Sequence, residues 1–318
     1  MKNKKKIAIL MATYNGEKYI DKQLRSIIHQ SYNNWKLIIH DDGSTDNTIG
    51  IINKYMKKYK NKIKLLDDDI KFHDPSKNFF YLMNYIKNKN YDYFLLSDQD
   101  DLWHENKVST LVNIALKNEF EGPLLIHSDS NVIDKNDNVI NNSFNKLSTL
   151  CMTRSDFQSI TFWNVSQGCA LMCNMEILKY ISIDINNIYM HDWWLCIVAS
   201  FFGKIIYTNE KLFSYRIHGE NYQGMGRNYG NEYKRDFLKK LLTYKKRAKA
   251  YYNGNKKQLM EVSKYMNKMS TKQTKLYTST YKVFDSNLFT ILAFLIRNRI
   301  YIKMNLKTVI HFIVGNLK

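Results

Sequence analysis

Proline, cysteine and long apolar runs are scarce in this chain: 2 prolines and 4 cysteines in 318 residues. The missing prolines accompany a large excess of Lys, Asn and Ile, a compositional bias, so the net charge of +19 is not by itself a sign of function. Cys151, Cys169, Cys173 and Cys196 form no CxxC pair and no His-bearing zinc spacing. That excludes a zinc module and favours reduced core thiols in a cytosolic protein over a disulfide framework. The longest late apolar stretch, "LFTILAFLI" at 288–296, is half of the roughly 18 to 20 residues needed to cross a bilayer. The charged start "MKNKKKIAILMATYNG" carries only about six apolar residues in a row, so no signal-peptide core is expected. No internal repeat is visible.

What is present is ample core material. At 44% hydrophobic and 14% aromatic, the chain is predicted to be one large domain, or one plus an appendage. The charge is unevenly placed: from Gly230 onward 20 Lys and Arg face 4 Asp and Glu, a net +16. We therefore expect a catalytic unit over 1–229 and a basic helical region over 230–318.

The first 130 residues alternate short apolar runs with amphipathic segments, the pattern of βαβ units and a mostly parallel sheet. "KIAILMAT", "WKLIIH", "KIKLL", "YFLL" and "PLLIHSD" read as strands. Ile20, Leu24, Ile27 and Ile28 fall on one helical face, and Pro75 opens another helix. Residues 134–165 read as a long polar insertion. "GCALMC" is a strand, "HDWWLCIVASFF" a helix, and "KIIYTNEKLFSYRIH" a pair of strands.

Ligands of open α/β sheets sit beyond the carboxyl ends of the strands. Strand two ends in Asp41 and Asp42, strand four in Asp98, Asp100 and Asp101. A single acidic end is ordinary turn or cap chemistry, a reading that stands level with a functional one for Asp42 and Asp46. Three acids within four positions raise one another's pKa, which implies a shared proton or a bound cation. Mg²⁺ and Mn²⁺ take such oxygen ligands, usually with a substrate phosphate completing the shell.

In order, "AILMATYNGEKYI", "IIHDDGSTDNT", "LLSDQDDLW", "SQGCALM", "MHDWW" and "YRIHGEN" resemble the family 2 glycosyltransferases of the GT-A fold, and most of all the rhamnosyltransferase-like branch that builds bacterial surface polysaccharide. The resemblance covers about residues 5–225. It implies a Rossmann-like, mixed but mostly parallel sheet and an inverting transfer from a nucleotide-diphosphate sugar with Mn²⁺ or Mg²⁺. The donor would be dTDP-rhamnose, or alternatively a UDP-hexose or UDP-N-acetylhexosamine. The acceptor would be a saccharide or lipid-linked glycan. By motif, Thr13, Tyr14 and Asn15 line the nucleotide pocket, Asp41 bonds the base, and Asp98 lies near the ribose. Asp100 ligates the metal, with the share of Asp101 open, and His218 joins them. Gln167, Gly168, His191 and Trp193 are assigned to sugar or acceptor. Asp192 is the catalytic base by this resemblance; on spacing alone it reads as a helix cap kept ionised by the dipole. Trp193 reads equally as a core aromatic, and His40, His73 and His127 as structural.

The basic tail fits no nucleic-acid motif. It matches a helix lying on an anionic leaflet through Arg297, Arg299, Lys303 and Lys307, or else a solvated face packed on the catalytic unit. A cytoplasmic enzyme, peripheral on the inner face of the plasma membrane, is the corresponding expectation. Two other classes stay open on the residues alone: a nucleotidyltransferase, which needs a Gly-rich basic loop where this chain has "TYNGEKY", and a non-catalytic binding protein.

Overall fold

Strand β1 (Ile7–Thr13) is apolar without alternation because both of its faces are covered: Ile7, Ala8, Ile9, Leu10 and Met11 are all fully buried. It lies between β2 (Trp35–Asp41) and β4 (Tyr93–Ser97), parallel to each, and β3 (Ile63–Leu65) extends the sheet beyond β2. In this computed structural model residues 4–148, 152–218 and 237–300 are described. The expected boundary at 229/230, Cys151, residues 219–221 of the late His motif, Lys303 and Lys307 lie outside them.

Helices α1 (Ile20–Ile28), α2 (Thr48–Lys58), α3 (Pro75–Ile86) and α4 (Lys107–Lys117) flank the sheet. The predicted stripe of α1 buries Ile20, Leu24 and Ile27. Helix α3 starts as its sequence dictates: Pro75 needs no N–H partner there, and the Asp74 side chain accepts from the Lys77 N–H. The remaining strands are β5 (Leu102–Trp103), β6 (Leu124–Ile133), β7 (Val139–Asn141), β8 (Leu171–Asn174) and β9 (Lys204–Arg216). Among the described residues the nine strands form one sheet in the order β3-β2-β1-β4-β8-β6-β9-β5, with β7 on β6. Only β5, β7 and β8 run antiparallel to their neighbours, so the sheet is mixed but mostly parallel.

Two expectations are corrected. The segment 204–216 is one strand rather than a pair: its pairing with β6 steps from Ser128–Thr208 to Asp129–Lys211, so the polar "NE" that reads as a turn is a bulge within a continuous parallel strand. The stretch 134–165 is not a solvated insertion either. It holds β7, α5 (Phe144–Leu147) and α6 (Phe157–Phe162), and scattered apolar residues anchor it: Phe144 and Met152 pack with Val132, while Phe157, Ile160 and Phe162 enter the main core.

Helix α7 (His191–Phe202) is buried on nearly every side, and its C-terminal neighbours α8 (Phe237–Ser263), α9 (Thr271–Val283) and α10 (Leu288–Arg297) close over it. Tyr252, Leu259, Val262, Tyr277, Phe284, Ile291 and Leu295 share one apolar core with α3, α6 and α7. Polar ties cross the same boundary: Tyr251 Oη donates to Phe162 O at 2.6 Å, and Glu261 accepts from the Asp184 N–H at 3.0 Å. Phe289 (83% exposed) and Ile296 (58%) point outward from α10. Among the described residues no helix is long and apolar enough to cross a membrane.

Candidate active site

The parallel register brings the ends of β1 and β2 level, pairing Thr13 with Asp41. Thr13 Oγ1 donates to Asp41 Oδ1 at 2.7 Å, and Asp41 also accepts from Ser44 Oγ (2.6 Å) and from the N–H groups of Ser44 (2.7 Å) and Gly43 (3.1 Å). Asn15 sits in the left-handed region (φ 47°), where its Oδ1 accepts from the Thr45 N–H at 2.8 Å. Tyr14 beside it is 51% exposed. Thr13, Tyr14, Asn15 and Asp41 thus form one rim, with Thr13 buried beneath it. Asp42 and Asp46 have the plain role: Asp42 accepts from Phe72 and Asp74 N–H groups, Asp46 from Thr48 and Glu17.

The end of β4 is built differently. Asp101 is buried; its Oδ1 accepts from the Arg216 N–H at 3.2 Å, while Oδ2 has no hydrogen-bond partner among the described residues. Asp98, Asp101 and Cys169 each offer a ligand atom within 4.8 Å of one another. Asp100 turns toward His218, whose Nε2 lies 2.8 Å from its Oδ2. Burial first, and then the neighbouring acids, push Asp98 well above the usual carboxylate range and Asp101 up to about 7. The same burial raises the Cys169 thiol and lowers Lys107 to about 8.

Across the cleft, β8 and α7 bring the remaining predicted residues together. The chain at Gly168 passes so close to His191 that a Cβ there would lie 2.9 Å from His191 Nε2. Burial drives His191 down to about 3, so the ring is neutral, and it stacks on Phe79 at 4.3 Å. Gln167 is buried, its Oε1 accepting from Ser130 Oγ at 3.4 Å, with its Nε2 unpartnered among the described residues. Asp192 accepts from Asn164 Nδ2 at 3.1 Å and from the Trp193 N–H at 2.7 Å. Met190 is the cap of α7, so Asp192 lies in the first turn, and burial outweighs the helix dipole to push its carboxyl up to about 6.

Trp193 is not open to a sugar. It is 2% exposed, and its indole N–H donates to Ile160 O at 2.6 Å, so the core reading holds. Of the other histidines, His40 bonds Asn78 and Asp68, and His127 is buried and lowered to about 3.

Four residues escaped the sequence reading. Gln99 clasps the main chain of Tyr14, its Oε1 accepting from the N–H at 2.9 Å and its Nε2 donating to the C=O at 2.8 Å. Lys107, fully buried, donates to Cys169 O at 2.6 Å and lies over the rings of Trp103 and Phe213. Arg216, also fully buried, donates through Nε to Asp100 O at 2.7 Å. Asn164 holds Asp192. For two of them a signal existed: Gln99 stands between Asp98 and Asp100 in the acidic motif, and Arg216 two residues before His218 in the late one.

An acid cluster with an unsatisfied carboxylate oxygen, together with a second buried carboxyl of raised pKa, is an arrangement suited to group transfer from a phosphorylated donor. Comparisons with known proteins identify the family. A family model described as Glycosyl transferase family 2 matches residues 8–174. The dTDP-rhamnosyl transferase RfbG of Shigella flexneri is 32% identical over 252 residues, 77% of this chain and 84% of that protein. Among solved structures, S. aureus TarS 1-349 in complex with UDP-GlcNAc superposes with a TM-score of 0.56 at 15% identity, over 98% of this chain and 79% of that one. In a longer TarS chain the match spans 37% of the length. Mannosyltransferase PcManGT from Pyrobaculum calidifontis, in complex with GDP-Man and Mn²⁺, gives a TM-score of 0.54 at 13% identity, over 99% of this chain and 88% of that one.

Proposed function

The chain belongs to glycosyl transferase family 2 and has the GT-A fold, and from that premise we propose an inverting, metal-dependent glycosyltransferase that moves a sugar, rhamnose from a dTDP donor first among them, onto a saccharide or lipid-linked acceptor in bacterial cell-surface polysaccharide synthesis. One observation carries this reading: at the end of β4 the ligand atoms of Asp98, Asp101 and Cys169 lie within 4.8 Å of one another, with the buried Asp101 Oδ2 unpartnered among the described residues. The likeness to a dTDP-rhamnosyl transferase supports the donor, with a UDP-hexose or UDP-N-acetylhexosamine as the alternative. The Mn²⁺ in the mannosyltransferase neighbour supports the cation.

The residues present fit a hard divalent ion. The donor set is chiefly carboxylate oxygen, and the buried Asp101 Oδ2 lacks a partner among the described residues. Asp101 would hold Mn²⁺ or Mg²⁺ with Asp98, whose oxygen lies in the same cluster, whereas the expected ligands Asp100 and His218 are paired with each other and would have to turn toward the ion to join them. Bound there, the ion neutralises charge on the departing diphosphate. Thr13, Tyr14, Asn15 and Asp41 seat the nucleotide. Asp192, ionised above about pH 6, takes the proton of the acceptor hydroxyl as that oxygen attacks the anomeric carbon opposite the diphosphate. Asn164 and the Trp193 N–H keep its carboxylate oriented for that proton. Gln167 Nε2, unpartnered among the described residues, and the narrow Gly168 strip supply the sugar-side wall.

A screen of nucleotide-sugars with Mn²⁺ or Mg²⁺, following release of nucleoside diphosphate and donor binding in parallel, tests the reading. No metal-dependent binding of any donor would overturn it. The outward Phe289 and Ile296 of α10, next to Arg297 and Arg299, support peripheral contact with anionic lipid. Co-sedimentation with anionic but not neutral vesicles, lost in a Phe289→Ser, Ile296→Ser double variant, is the expected result.

A further inference from the structure

Cys169 is the odd member of the acid cluster. Its sulfur and one oxygen each from Asp98 and Asp101 all lie within 4.8 Å of one another, and Cys169 and Asp101 are each 1% exposed. Two ligand atoms on one tetrahedral Zn²⁺ stand roughly 3.6 Å apart, given bonds of about 2.3 Å to sulfur and about 2.1 Å to oxygen. The three groups are therefore within roughly 1 Å of a chelating separation before any ion arrives.

Their surroundings leave room for an ion's charge. Asp101 Oδ2 is buried without a hydrogen-bond partner among the described residues, and one thiol has a single weak donor to divide between two carboxyls. Lys107 brings positive charge to the same place, its Nζ donating to Cys169 O at 2.6 Å, and a cation beside a thiol favours the thiolate. Cys173 and Cys196 have no such setting: both are buried, and neither belongs to a group of metal-ligating atoms among the described residues.

Carboxylate oxygens alone would make a hard site. Sulfur changes the ranking, because thiolate binds soft cations far better than it binds Mg²⁺ or Mn²⁺. A soft ion displaces the thiol proton to solvent and takes the sulfur lone pair. A hard ion gains little from sulfur and leaves that proton in place.

We propose that Cys169 is a metal-selectivity residue, making with Asp98 and Asp101 a thiolate–carboxylate site at which a thiophilic divalent cation, Zn²⁺ or Cd²⁺, excludes Mn²⁺ and Mg²⁺ and so stops the enzyme. The inference rests on the proposed reading of this cluster as the cation site. What it adds is a class of inhibitory ion and the residue that recognises it.

Cd²⁺ is the probe, because its bond to thiolate gives an ultraviolet charge-transfer band whatever the enzyme's activity. The reduced, metal-free, full-length protein is titrated with Cd²⁺ while that band is followed. A second titration, into protein loaded with Mn²⁺ and dTDP or UDP, follows Mn²⁺ release by the free-ion electron paramagnetic resonance signal. The expected result is a saturable band with Mn²⁺ released in step. Cys169→Ser should lose the band and lower the affinity for Cd²⁺ relative to Mn²⁺ by about tenfold or more, since even a group that only supports metal ligands is worth that much. Cys173→Ala and Cys196→Ala should each keep the band and the preference. Should Cys169→Ser fail to fold, the combined Cys151→Ser, Cys173→Ser, Cys196→Ser variant decides, because it should keep the band with Cys169 as its remaining thiol. A band that survives Cys169→Ser, or Cd²⁺ uptake without Mn²⁺ release, overturns the selectivity role, as does a parent that binds Mn²⁺ but gives no band. A parent that binds neither ion overturns the cation reading of the cluster as well.

Discussion

Two strands of this sheet end in aspartates at equivalent places, and their surroundings could hardly differ more. At the end of β2, Asp41 and Asp42 accept from main-chain N–H groups of Gly43, Ser44, Phe72 and Asp74. At the end of β4, Asp98 and Asp101 face each other and a thiol, and one oxygen of Asp101 has no donor among the described residues. The first pair is satisfied by the fold itself. The second is left with acceptor capacity and mutual repulsion that folding does not resolve, which is the electrostatic condition for a cation site. Position at a strand end therefore does not mark a cation site; what the neighbours leave unsatisfied does.

The sharpest way to break this contrast is to remove acids from each side. Asp192→Asn should lower kcat by about 10² to 10⁴, the usual worth of a positioned base, with donor binding kept. Asp100→Ala should abolish transfer through loss of Mn²⁺-dependent nucleotide binding while the melting temperature moves little. Retention of full activity by Asp192→Asn in a purified assay would remove the base assignment. At the other strand end, Asp42→Ala should do the reverse, costing about 1–3 kcal/mol of stability by stranding two N–H donors, with Mn²⁺ binding retained. Urea unfolding and metal titration on the same preparations would show whether the two ends separate in this way.

A smaller effect follows from pH. Asp101 and Asp192 are raised in the folded protein to about 7 and about 6, so each favours the folded state when protonated. Their contribution is fully present below the ordinary carboxylate range and is lost as pH rises through 6 to 7. Without metal, the melting temperature should therefore fall over that interval. Mn²⁺, by taking the place of protons at Asp101, should raise it more at pH 8 than at pH 5. An equal metal increment at both values would argue that the cluster does not bind the ion as a carboxylate set. Transfer itself should decline below about pH 6 as Asp192 becomes protonated.

The sequence was most legible where structure is local. The apolar runs of β1, β2 and β4, the stripe of α1, the Pro75 start of α3 and the acids at the strand ends are all patterns within a dozen residues, and the ordered motifs singled out His218, which the fold sets against Asp100. Legibility failed where the deciding partner is distant in the chain. The polar "NE" of β9 becomes a bulge only because β6 offers a parallel edge on both sides of it. Residues 134–165 look solvated until Val132 and the main core receive Phe144, Met152 and Phe162. Lys107 has a surface residue's identity and a core residue's burial, since Cys169 O and two aromatic rings enclose it. Trp193 was ambiguous in sequence because stacking on a sugar and packing in a core ask for the same side chain; the carbonyl of Ile160 decides between them.

The clasp of Gln99 on the main chain of Tyr14 leaves little room at Gly16, where a Cβ would come within 2.4 Å of the Gln99 side chain. The segment proposed to frame the nucleotide and the segment that carries the acids are thereby interlocked and should travel as a single exchangeable module. Engineering a new donor preference by grafting the first segment from a relative would then need the residue at position 99 and the glycine at position 16 transplanted together, or the cation site would be displaced along with the base.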